Sequence, residues 1–207
     1  MSMRYARPLI AGSAAVLVAT LGATAALAAT TWTIRPGGAV TATATAAGFR
    51  DTKTRSIFTC QSVAISGRLK SGSGLAGPDA GSVSAVTFTH CTSPLGVTFT
   101  LTPKDLPWHL NLSGDSGGVV TGSISHMRSG LSGPSCSAVI DGTSATASDG
   151  RLNFSYADGT GRLATLTTGG SLHFYDVKGC LGLFDSNDPL TVGATFPLSP
   201  KQSITSP

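Results

Sequence analysis

The chain has 207 residues with 14 Lys and Arg, no glutamate and ten aspartates, for a formal charge of +4. Without Arg4 and Arg7 at the N-terminus, twelve cations face ten anions. They are scattered singly, with no basic run, which argues against a nucleic-acid partner. Thr, Ser, Val and Gly dominate, no mature stretch carries a 3.6-residue apolar period, and the composition predicts an all-β fold.

The first element is a targeting segment. Arg4 and Arg7 give a basic start, Leu9 to Ala29 carries no charge, and Ala26-Leu27-Ala28 supplies the small residues a signal peptidase reads. Residues 1–28 are therefore expected to be a secretory signal peptide, and the protein to be extracellular or wall-associated. No later apolar run is long enough to span a bilayer, so no membrane insertion is expected after cleavage. A mature chain of about 180 residues suits one domain or two small ones, with core enough that disulfides reinforce it.

Strands are then expected over 31–35, 40–46, 63–69, 83–90, 97–102 and 119–125. After these, Asp141-Gly142, Asp149-Gly150 and Asp158-Gly159 each read as a hairpin turn with a left-handed glycine. They bracket expected strands at 138–140, 143–148 and 152–157, followed by 162–167, a Gly169-Gly170 turn, 171–177 and finally 191–198. The pattern predicts an antiparallel meander within a β-sandwich or barrel over residues 29–200. The polar tail 201–207 is expected to fray.

Cys60–Gly67 resembles Cys136–Gly142, and each is followed by an alternating strand leading to another cysteine, Cys91 or Cys180. A duplicated module with halves 29–113 and 114–200 would produce this arrangement. Four cysteines in an exported chain imply two disulfides, with three possible connectivities. The repeat favours Cys60–Cys91 and Cys136–Cys180. The cysteines have neither zinc-ligand nor Cys-x-x-Cys spacing.

Gly114-Asp115-Ser116-Gly117-Gly118 matches the string around the nucleophile of chymotrypsin-like proteases, and Thr89-His90-Cys91 resembles the strand end carrying their histidine. The spacing opposes that reading. His90 and Ser116 are too close in sequence for the intervening barrel, and only Asp105 lies between them as an orienting acid. Residues 113–118 read instead as a polar hairpin loop. His90, His109, His126 and His173 show no ligand spacing, so no metal site is expected. Asp185-Ser186-Asn187-Asp188 is oxygen-rich but matches no calcium loop and reads as a capped turn. No cofactor is expected. Trp108 is a weak candidate for a stacking platform, although so few aromatics are needed mainly for the core.

The signal segment, the four cysteines and Pro107-Trp108-His109-Leu110-Asn111 resemble a group of exported actinobacterial β-rich proteins with paired cysteines. That resemblance implies fold and compartment, and no activity. The expected function is a non-catalytic secreted or envelope protein, structural or ligand-binding, with a cell-wall polysaccharide or another extracellular protein as partner. The alternative is a secreted serine hydrolase using Ser116. A small-molecule carrier is a third reading.

Overall fold

The computed structural model describes residues 30–207, so the expected signal peptide lies outside the described residues. Fifteen strands and no helix are formed among them. β4 (Ile57–Leu69) and β6 (Gly81–Thr92) pair antiparallel from Thr59↔Thr92 to Leu69↔Gly81. The far edge of β6 takes β7 (Thr98–Lys104) at one end and β8 (Trp108–Ser116) at the other. Both lie against the long β9 (Val119–Gly133). β11 (Gly150–Ala157) continues from the first half of β9, then β12 (Arg162–Thr165) and β14 (Leu190–Ser199). β2 (Gly38–Ala44) and β3 (Ala47–Asp51) together fill one position between β14 and β4, and the wall closes. The result is an eight-stranded antiparallel barrel.

Closure follows from the burial alternation. Trp108, Leu110 and Leu112 of β8 point inward and are buried, as are Leu152, Phe154 and Tyr156 of β11. Residues between them face solvent, as the two-residue period of a strand requires. The second half of β9 leaves the wall and carries β10 (Cys136–Asp141) and β13 (His173–Lys178) as a sheet extension. Strands from both sides of residue 113 build the single barrel. Cys60 and Cys91 face each other within its wall, whereas Cys136 and Cys180 join β10 to the segment after β13.

Both barrel ends are covered. At the Leu69 end lies a three-stranded sheet of β1 (Thr31–Arg35), β5 (Gly72–Ala76) and β15 (Ser203–Thr205), which buries Trp32, Ile34 and Ile204. At the Phe58 end, Phe49 and Phe58 stack at 4.7 Å and Phe174 and Phe184 at 4.6 Å, with Phe99 against Phe58 and Phe184. Offset stacks of this kind add to the area the rings bury.

The expectations needed four corrections. The tail does not fray: β15 pairs with β1, and Gln202 is buried with its Oε1 accepting from Gly37 N at 2.8 Å. Its backbone carbonyl accepts from Tyr156 Oη at 2.7 Å, so the tail completes the core. Residues 143–148 are a loop, because the Asp141 carboxylate gathers the amides of Gly142, Ser148 and Asp149 and folds the chain back. The meander breaks there, since β11 returns to β9 and not to β10. Finally, Gly142, Gly150 and Gly159 are not left-handed. Gly142 and Gly150 are required instead by close approach: a Cβ would strike the Asp149 carboxylate in one case and the Met127 carbonyl in the other.

Candidate functional site

Ser116 ends β8, and the hairpin loop is only Gly117-Gly118, both with positive φ as a tight two-residue turn demands. Ser116 pairs with Val119 through its backbone, and its hydroxyl makes no hydrogen bond among the described residues. His90 lies seven residues beyond the Val83↔Trp108 pair on β6, and Ser116 eight residues beyond it on β8, in opposite directions. That is roughly 50 Å of strand path at about 3.3 Å per residue. Asp105, the sequence's only orienting acid, instead accepts from Ser148 Oγ at 2.6 Å and Arg128 Nη1 at 3.0 Å. Those two bonds, Ser148 first, hold its carboxyl below the usual carboxylate range. The hydrolase residues are not brought together.

Trp108 is no surface platform. It is 3% exposed, and its Nε1 donates to Lys104 O at 3.0 Å. It lines an apolar cavity of about 70 Å³ in the middle of the barrel, with Phe49, Val83, Leu101, Met127 and Phe196 among the walls. The hydroxyl of Thr165 in that wall is already committed to Val192 O and Ala194 N. An apolar void of this size is well below the ~150 Å³ that accommodates benzene. The interior is core, and the carrier reading has no room in it.

The oxygen-rich run at 185–188 turns inward. Asp188 is 3% exposed and pairs with Lys53 Nζ at 2.8 Å, so an ammonium already stands where a cation would. Beside it Asp51 is fully buried, accepting from Lys53 N and Thr54 N. Burial, reinforced by the neighbouring Asp188, pushes the Asp51 carboxyl up.

The outer surface offers two features of another kind. At the barrel end next to the Cys136–Cys180 disulfide, the loops 93–97 and 179–183 present Leu95 and Leu181, which are 77% and 89% exposed. Leu181 is held at φ +53° between Gly179 and Gly182, both also left-handed. A bulky side chain in that conformation is a true outlier. An open groove of about 330 Å³ lies between the loops, lined by Leu95, Val97, Pro134, Leu181 and Leu183 beside the disulfide.

The second feature is a polar circuit across β8 and β9. His109 Nδ1 bonds Asp79 Oδ1, and the His109 and His126 rings lie 4.4 Å apart. Ser125 Oγ lies 3.3 Å from His126 Nδ1 and accepts from Asn111 Nδ2 at 2.9 Å. Asn111 Oδ1 accepts in turn from Asp79 N at 3.0 Å, closing the ring. The hydrogen bond from His109 holds the Asp79 carboxyl below the usual range. The sequence reading treated each histidine alone. The signal it passed over is the Gly117-Gly118 turn: the hairpin there, with the register shift between Leu112 and Gly114, sets His109 opposite Ser125 and so beside His126. No family profile matches this chain, and no curated protein or solved structure does so either.

Proposed function

We propose that this chain is an exported, non-catalytic protein that works by binding another extracellular protein through its Leu95–Leu181 end. Its kinship with exported actinobacterial proteins and a signal peptide at 1–28 belong to the same reading, and the two disulfides are consistent with an extracellular location. The observation that carries the proposal is Leu181, 89% exposed in a conformation leucine disfavours. Backbone strain of that kind costs of order 1–3 kcal/mol and persists only where the surroundings impose it. Here two glycines and a disulfide impose it.

The chemistry of the end supports a protein partner over a polysaccharide. Neither loop contains a charged residue between 93 and 97 or between 179 and 183. Protein interfaces are depleted of charge at their centre, with polar groups at the rim, where Lys178 stands here. A sugar surface would call for exposed aromatic faces and hydrogen-bonding side chains, and both tryptophans are buried.

A photo-crosslinking residue placed at 95 or 181, in the secreting organism, tests this. The expected result is one specific protein adduct, absent when the probe sits at Thr87 on the barrel wall. Against that purified partner, Leu181→Ser should weaken binding about tenfold or more with unchanged melting. Adducts equally abundant at position 87, or sedimentation with cell walls that Leu181→Ser leaves intact, would show the reading to be wrong.

A further inference from the structure

We infer that the His109–His126 pair on the outer face of β8 and β9 is a binding site for a first-row divalent transition metal ion such as Zn²⁺ or Cu²⁺. The site is independent of the Leu95–Leu181 end. It begins with a β-bulge. Between the Ile124↔Leu152 and Met127↔Gly150 pairs, β9 advances three residues while β11 advances two. Ile124 and Met127 both face the interior, where they line the cavity, so the additional residue leaves Ser125 and His126 on the outer face together. Without the bulge, strict alternation from Ile124 would turn His126 into the barrel. The bulge holds His126 at φ +60°. Bulges of this kind re-aim side chains at functional sites.

Hydrogen bonds on the Nδ1 side of the two neighbouring rings leave the Nε2 side of each for an ion. His109 donates its Nδ1 proton to Asp79, which fixes the tautomer whose Nε2 lone pair is free. A carboxylate behind a histidine is the usual outer-shell partner of a metal ligand and raises its basicity. Ser125 Oγ, itself held by Asn111, is placed to accept the Nδ1 proton of His126, which frees that Nε2 in the same way. Neither Nε2 has a protein partner among the described residues. Imidazole nitrogens suit zinc, copper and nickel, whereas calcium and magnesium prefer oxygen. Among the described residues no three His, Cys, Asp or Glu side chains converge on one point. The ion is therefore held by two nitrogens with water completing its shell, and Asp79 acts through His109 as a positioning residue.

Titration calorimetry of the purified, oxidised protein with ZnCl₂ tests the assignment. One saturable ion per chain is expected, weakened roughly tenfold or more by His109→Gln or His126→Gln. Asp79→Asn should weaken it about tenfold, the usual outer-shell effect. His90→Gln and His173→Gln should leave it unchanged. No saturable binding, or binding that His126→Gln does not weaken, overturns the site. Should the variants not fold, the wild-type protein still decides. Zn²⁺ must protect His109 and His126, but not His90 and His173, from carbethoxylation, and equal modification of all four overturns the assignment.

Discussion

Two polar clusters flank the same strand, β9, and they are finished to different degrees. Around Asp141, which is fully buried, three loop amides bond the carboxylate and Arg128 Nε approaches to 3.5 Å. Arg128 also reaches Asp105, and Asp105 reaches Ser148, so the network locks the loop between β10 and β11 to the barrel. On the outer face the His109–His126 circuit is just as closely connected, yet it leaves two ring nitrogens unclaimed. The inner cluster satisfies most of its buried groups from within, because an unpaired buried group costs more than a formed bond returns. Arg128 Nε alone in it has a charge contact and no hydrogen bond. A cluster that leaves oriented capacity facing solvent is arranged for something outside the chain.

The largest effect is expected at the finished cluster. Asp141→Ala strips three loop amides of their acceptor and removes one of the two carboxylates beside Arg128, which keeps Asp105. Leaving a buried donor without its acceptor costs about 1–3 kcal/mol. Urea unfolding should show that loss in the midpoint, whereas Asp79→Asn on the exposed circuit should leave the midpoint nearly unchanged, as removing a surface pair does. Similar losses at the two sites would erase the distinction between them.

Asp51 sharpens the comparison through pH. Its folded carboxyl titrates above the ordinary value, chiefly through burial, while the amides of Lys53 and Thr54 only partly offset the shift. The folded state therefore holds this proton more tightly than the unfolded chain does. The resulting stabilisation is full below the ordinary carboxylate pKa and disappears as pH rises through the folded value. Asp51→Asn removes that dependence, so its stability relative to wild type should improve steadily from acid towards neutral pH. Melting curves from pH 3 to 8 give the answer, and a difference that stays flat would place the Asp51 proton elsewhere.

What the sequence made legible follows from the same physics. The strands over 31–35, 152–157 and 191–198 alternate cleanly and were placed within two residues. β9 was expected far too short, because the Ser125-His126 bulge interrupts its alternation, and β4 begins at Ile57, six residues before its expected start. β8 was hidden: Asn111, Ser113, Gly114 and Asp115 have the composition of a loop, and only pairing with β9 holds them extended. The Asp141 turn was read from its glycine when its carboxylate does the folding. The histidine pair lies seventeen residues apart in sequence and becomes visible only through hairpin register. Leu95 and Leu181 carry no motif, since exposure is a property of the folded surface.

The smallest effect separates the histidine site from ordinary surface. At φ +60° a side chain costs about 1–2 kcal/mol that glycine does not pay, partly offset by the roughly 0.5–1 kcal/mol of backbone freedom glycine loses on folding. His126→Gly should therefore raise stability by about 0.5 kcal/mol while abolishing Zn²⁺ binding. A residue that is less stable than its simplest replacement, yet completes an oriented pair, is retained for what it binds. If His126→Gly instead lowers stability, the imidazole is packing against His109 as part of the fold, and the left-handed position needs no functional explanation.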